Sequence, residues 1–229
     1  MEYVLILIIF GLSLIFLKFI FSYNIKKIEE LAKNEKLDEI AKKYPSNIEI
    51  CKKYLKMLKN EKVEIVEDEN INNCLYIAIS NKILIANIKD SYTRIQTIAH
   101  ECLHSVQDRK LLIFNFIYSN IFMLFFIVIS ILGLLKVLPY KMLFIVILTF
   151  MGFIYFLVRA YLENDAMIKA RYLAKEYMGE EKITSQKEID DIVAGFDELN
   201  NKGIKCVNYN LFFNVTMQVI VFALICLLR

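Results

Sequence analysis

Two histidines carry the most specific chemical signal in this chain. His100, Glu101 and His104 form the pattern His-Glu-x-x-His, and the sequence contains only 2 histidines. On an α-helix, residues four positions apart lie on one face about one turn apart, so both imidazoles can bind one metal ion. Imidazole suits Zn²⁺, and a glutamate beside the first ligand can take a proton from metal-bound water. The pattern therefore predicts a zinc site with Glu101 as general base.

The residues around this pattern favour a helix over about 91–109. Asp90 or Ser91 could cap its start. A short pattern can also occur by chance, but an apolar stripe on one side of the motif argues for a packed helix. The stripe consists of Ile95, Ile98, Ala99, Leu103 and Val106.

A catalytic zinc needs three protein ligands and one open position. The sequence has no third histidine, so the third ligand should be a carboxylate. Glu163 is the best candidate, because it follows the third apolar run where the chain becomes polar again. On a helix beginning near 160, Ala166 and Ala170 would share its face and allow close approach to the motif helix. A solvated charge at a helix start is the other interpretation. Three further glutamates are alternatives: Glu176, Glu180 and Glu181.

The composition is unusually apolar for a soluble protein. Of 229 residues, 57% are hydrophobic, including 17 Phe and 13 Tyr, which points to segments that span a bilayer. The net charge of +3 is too small to indicate a nucleic-acid partner. The 5 cysteines are scattered and form no Cys-x-x-Cys, so we expect neither disulfides nor a cysteine zinc site.

Four apolar runs are long enough to cross a bilayer as helices. They cover residues 3–22, 111–135, 142–158 and about 210–228. The first is expected to remain as an anchor, because it is too long for a signal peptide and lacks a basic region. The chain then divides into a transmembrane anchor (1–22), a segment with the motif (23–110), a transmembrane hairpin (111–158), a helical segment with Glu163 (159–207) and a C-terminal transmembrane helix (208–229).

The distribution of basic residues predicts the orientation of these spans. Lys and Arg are concentrated in 23–110 and 159–207, and four spans place both segments on the same side. Basic segments favour the cytoplasm, so both are predicted to be cytoplasmic and both termini to lie outside. The predicted hairpin crosses the membrane twice and returns the chain to the side from which it started, which would bring His104 and Glu163 together.

The polar segments predict a small α+β domain that carries the motif. Apolar residues recur at helical spacing over 24–60, interrupted at Pro45. Residues 63–66 fit a short strand, and 74–87 fit a β-hairpin that leads into the motif helix. The exposed edge of that strand could accept an extended peptide, although an ordinary hairpin fits equally well. The predicted fold class is thus mainly α, an integral membrane protein with about four transmembrane helices.

Two motifs resemble those of a known family. Residues 100–107, followed after a membrane hairpin by Glu163, Asp165 and Ala166, resemble the neutral zinc metallopeptidases of bacterial membranes (the YugP-like group). They are more distantly similar to the HtpX-like membrane gluzincins, which also separate their two zinc-binding elements by a transmembrane hairpin. The resemblance covers about residues 1–175. It implies a gluzincin-like α+β catalytic domain.

The resemblance also implies roles for single residues. His100, His104 and Glu163 would be the zinc ligands, and Glu101 would be the general base. Whether Asp165 orients a ligand imidazole is left open, because a helical residue two positions after Glu163 points away from it.

Two positions depart from the family patterns. Residues 102–103 are Cys-Leu, where the closer family commonly has small residues. Met167 stands where the HtpX-like pattern has an aspartate.

Two hypotheses follow for function. The first is a membrane-embedded, zinc-dependent endopeptidase that cleaves protein or peptide substrates at a site facing the cytoplasm. The second is a non-catalytic membrane protein with a structural zinc site, acting as a scaffold or interaction module. Two histidines and one glutamate leave a coordination position open, which favours the enzyme. A transporter is disfavoured, because the spans lack the ionisable residues that mark an ion path.

Peptide hydrolysis would also need a donor to stabilise the developing oxyanion. Four residues near Glu163 in sequence could supply it, and the sequence does not separate them: Arg159, Tyr161, Arg171 and Tyr172. The expected partners are a protein or peptide substrate and the lipid bilayer, with no oligomeric state predicted.

Overall fold

The structure is a computed structural model that describes residues 1–21, 23–68, 71, 73–88 and 91–228. It is 74% helical with one small three-stranded sheet, which confirms the mainly α class at this level. The helices are α1 (Glu2–Ile20), α2 (Ile25–Leu31), α3 (Glu35–Ala41), α4 (Asn47–Met57), α5 (Arg94–His104), α6 (Arg109–Leu134), α7 (Lys141–Glu181) and α8 (Gln186–Leu227). The strands are β1 (Glu64–Glu67), β2 (Leu75–Ile77) and β3 (Lys82–Ile85).

The chain divides into two compact units. The unit we call the apolar unit comprises Met1–Tyr23, Phe114–Tyr161 and Lys205–Arg229. The unit we call the motif unit comprises Asn24–Ile113 and Leu162–Ile204. The His-Glu-x-x-His motif and Glu163 therefore both belong to the motif unit.

Four helices are long and apolar enough to cross a membrane, judged by length and composition among the described residues. They are α1, α6, α7 and α8, whose most apolar 18-residue windows have mean hydropathies of 2.0 to 2.9. This finding agrees with the four predicted spans. The cytoplasmic orientation of the polar segments stays a prediction.

Helix α7 runs without a break for 41 residues. The predicted helix start near residue 160 is therefore wrong. Residues 159–162 contain neither Gly nor Pro, so the change from apolar to polar side chains does not interrupt the backbone hydrogen bonds. Glu163 consequently lies in the middle of a helix, and its interpretation as a charge at a helix start is wrong as well.

The sheet of the motif unit has β3 at its centre. Strand β3 pairs in parallel with β1 and antiparallel with β2. The predicted hairpin is present as β2 and β3, with shorter strands because residues 78–81 form the turn. The sequence leaves open whether the strand that leads into the motif helix has an exposed edge for a peptide or belongs to an ordinary hairpin. Strand β3 has no such edge, because it is paired on both sides and the edges belong to β1 and β2.

The motif lies on α5, which is shorter than the predicted helix over 91–109. Three stripe residues, Ile95, Ile98 and Ala99, are fully buried, whereas Val106 follows the helix end and is 44% exposed. Residues 105–108 form a turn between α5 and α6, and Asp108 caps the start of α6. Its carboxylate accepts hydrogen bonds from two backbone amides in the first turn of α6, at 2.7 and 3.2 Å.

The start of α5 is fixed by a buried arginine rather than by a side-chain cap. Of the two predicted caps, Asp90 lies outside the described residues, and the N-cap is Thr93 instead of Ser91. The guanidinium of Arg94 is buried and donates four hydrogen bonds at 2.8 to 2.9 Å. The acceptors lie at the junction of α3 and α4: the carbonyls of Ala41, Tyr44 and Pro45, and the side chain of Asn47.

Replacing Arg94 should destabilise the motif unit. Arg94→Met leaves four oxygens without their donor, and we expect the free energy of unfolding to fall by about 3 kcal/mol. Chemical unfolding of the detergent-solubilised protein, followed by circular dichroism, measures the change. The matched control is Lys36→Met, which removes an exposed ion pair with Asp191 and should cost less than about 1 kcal/mol. Equal losses in the two variants would contradict the anchoring role of Arg94.

Candidate metal centre

The three predicted ligands lie together in the motif unit. The Nε2 atoms of His100 and His104 are 3.0 Å apart. Glu163 Oε2 lies 3.4 Å from Nε2 of His100 and 3.7 Å from Nε2 of His104. One donor atom from each residue thus faces a common point, and the group could hold a metal ion.

The spacing of these donors fits a tetrahedral metal ion. Ligand atoms about 2.1 Å from Zn²⁺ at tetrahedral angles lie about 3.4 Å from one another. The three observed separations, 3.0, 3.4 and 3.7 Å, bracket that value. Two imidazoles and one carboxylate also leave a fourth position open. The residues present therefore fit the ion that the motif predicts.

Close packing supports the position of Glu163 on α7. Ala166 and Ala170 are fully buried in the same core cluster as Ala99 and Cys102 of α5. Their small side chains permit the close approach that the sequence predicts. Among the alternative ligands, Glu180 and Glu181 both pair with Lys53, and Glu176 is exposed.

Glu101 lies beside the cluster with its two oxygens in different surroundings. Its Oε2 accepts a hydrogen bond of 2.7 Å from the backbone N–H of Tyr76 on the edge strand β2. Its Oε1 lies 3.9 Å from Nε2 of His100. One oxygen is thus held by the sheet, while the other faces the space beside the ligands. Sequence reasoning missed Tyr76, because no local pattern marks a backbone amide as a partner of Glu101.

Burial and neighbouring charges shift the pKa values of Glu101 and His104. Burial raises the pKa of Glu101, and the neighbouring His100 and His104 only partly oppose that shift. Burial disfavours the charged form of His104, but the carboxylates of Glu163 and Glu101 and the hydrogen bond with Gln107 together outweigh this effect and raise the pKa of His104. A positive charge on His104 is therefore favoured beside the carboxylate of Glu163.

A glutamine adjoins the motif and contacts both ligand-bearing segments. Gln107 Oε1 lies 2.8 Å from Nδ1 of His104. Its Nε2 donates to the carbonyl of Leu162 at 2.9 Å and to Asp165 Oδ2 at 3.1 Å. Asp165 is therefore connected to the imidazole of His104 through Gln107. The spacing of Gln107 three positions after His104 was the available signal for this contact.

The four candidate oxyanion donors are distributed over both units. Arg159 and Tyr161 belong to the apolar unit. In the motif unit, the guanidinium of Arg171 binds the carboxylate of Asp197 and the hydroxyl of Tyr172. Arg171 and Tyr172 are thus hydrogen-bonded to each other.

The cysteine inside the motif, Cys102, is not part of the ligand group. The Cys102 thiol is fully buried and faces Cys51, with the two sulfurs 3.6 Å apart. All 5 cysteines are free.

Comparison with known proteins identifies no relative. No family model, no curated protein and no solved structure matches this chain. The geometry of the centre is therefore what bears on its function.

Removing the carboxylate ligand should weaken metal binding. We expect Glu163→Gln to lower zinc affinity at least about 100-fold, because one charged ligand is lost. Competition titration with a chromophoric chelator measures the affinity. The control is Glu176→Gln, an exposed glutamate on the same helix, which should bind zinc like the original chain. A Glu163→Gln protein with unchanged affinity would show that Glu163 is not a ligand.

Proposed function

We propose that the chain is a membrane-embedded, zinc-dependent endopeptidase that hydrolyses peptide bonds in protein or peptide substrates. The observation that carries this proposal is the triangle of donors with Glu101 beside it. Three ligands with tetrahedral spacing leave one position for water, and a carboxylate next to that position is what metal-assisted hydrolysis requires.

The chain's own residues have distinct tasks in this reaction. His100, His104 and Glu163 would hold the ion, which supplies a water with a pKa near 7 and polarises the scissile carbonyl. The free oxygen of Glu101 would accept the water proton and pass it to the leaving amine. The N–H of Tyr76 holds the other oxygen of Glu101 and so restricts the rotation of this carboxylate.

The membrane assignment rests on the four apolar helices. A bilayer core needs about twenty apolar residues per helix, and each candidate helix provides them. The excess of Lys and Arg in 23–110 and 159–207 supports a site that faces the cytoplasm. The resemblance to membrane zinc metallopeptidases supports the same arrangement.

The alternative function is that of a non-catalytic protein with a structural zinc, and chelation of the ion distinguishes it from the enzyme. A structural ion contributes directly to folding, so chelation should unfold the motif unit. A catalytic ion should leave by chelation with loss of turnover and little loss of helix content. The open fourth position favours the catalytic assignment.

Replacing the general base tests the proposal directly. Glu101→Gln should keep about one zinc per chain while lowering proteolysis by about 100-fold or more, since a general base contributes that much. Zinc content and cleavage of a labelled unfolded protein are measured on the same detergent-solubilised sample. Glu176→Gln serves as the control and should retain both. A zinc-loaded Glu101→Gln protein that cleaves at the original rate would refute the mechanism, and no cleavage by the unaltered chain would favour the structural alternative.

A further inference from the structure

We infer that Gln107 is a positioning residue that fixes the tautomer of His104 and ties this ligand to the helix that carries Glu163. The inference rests on the metal-ligand role of His104 in the proposed function. It concerns a residue that lies outside the five-residue motif and supplies no ligand atom.

The hydrogen bonds of Gln107 determine which end of its amide faces His104. An amide has a donor end and an acceptor end, and the network around it decides their orientation. One end faces the carbonyl of Leu162 and the carboxylate of Asp165, at 2.9 and 3.1 Å. The carbonyl oxygen of Leu162 can only accept, and the carboxylate of Asp165 pairs with Lys169 Nζ at 2.6 Å. That end must therefore be the NH₂ group.

The orientation of the amide in turn determines the tautomer of His104. With its NH₂ group directed at α7, Gln107 presents its carbonyl oxygen to Nδ1 of His104 at 2.8 Å. A carbonyl oxygen only accepts, so Nδ1 must carry the proton. In a neutral imidazole the other nitrogen, Nε2, then has the free lone pair. This is the atom that faces His100 and Glu163, so the ring is prepared for a metal ion.

The same glutamine also links the two ligand-bearing helices. Leu162 directly precedes Glu163, and Asp165 follows Glu163 by two residues on α7. A single side chain therefore connects His104 of α5 to the backbone beside Glu163. A displacement of either helix would break at least one of these hydrogen bonds.

The tautomer can be measured directly, because the chain contains only 2 histidines. The sample is full-length, metal-free protein in detergent, labelled with ¹⁵N-histidine and kept at a pH at which the imidazoles are neutral. Its ¹⁵N NMR spectrum contains four ring-nitrogen signals, and a His100→Gln variant assigns them to the two histidines. We expect Nδ1 of His104 to be protonated in the unaltered chain. Gln107→Met should lose this preference and bind zinc about 10- to 100-fold more weakly.

The control is Gln186→Met, which makes the same substitution at an exposed position of the motif unit and should change neither quantity. A proton on Nε2 of His104 in the unaltered chain would overturn the inference. So would an unchanged tautomer in Gln107→Met. If Gln107→Met does not fold, the spectrum of the unaltered chain still shows which ring nitrogen of His104 carries the proton. The measurement needs no metal and no turnover, so a chain that cleaves nothing would contradict the proposed function while leaving this result intact.

Discussion

Three donor atoms must be held within 4 Å of one another by the protein itself, and much of the motif unit serves this requirement. Two imidazole nitrogens and a carboxylate oxygen at such distances are unfavourable neighbours unless a cation or a proton lies among them. Their convergence therefore depends on rigid surroundings. Helix geometry aligns His100 with His104, and the buried alanines of α7 fix the position of Glu163.

Hydrogen bonds of three residues around the centre hold its segments in place. Arg94 ties the first turn of α5 to the junction of α3 and α4, while Tyr76 ties Glu101 to the sheet. Gln107 ties the end of α5 to α7. Buried polar groups that are paired favour one arrangement, and both terminal nitrogens of Arg94 are paired in this way, although its Nε has no hydrogen-bond partner. The positions of the three candidate ligands thus depend on hydrogen bonds made by residues outside the ligand group.

Local patterns predicted one part of this arrangement, and contacts distant in sequence determined the rest. The four-residue spacing of the histidines and the lengths of the apolar runs are local properties, so the site helix and the candidate spans could be predicted. Glu163 could be proposed because the predicted transmembrane hairpin would return the chain to the side from which it started. The end of α5 at His104 and the unbroken course of α7 through residues 159–162 were missed, because capping and continuity depend on which competing hydrogen bonds form. The contacts of Glu101 with Tyr76 and of Gln107 with Asp165 join segments that no periodicity relates.

Zinc K-edge absorption spectroscopy of the purified full-length protein, loaded with one zinc per chain, tests the central claim most directly. The donor triangle predicts two imidazole nitrogens and oxygen ligands from Glu163 and water, all at about 2.0–2.2 Å. A sulfur ligand at about 2.3 Å, or a zinc bound by neither histidine, would contradict the assignment of this centre.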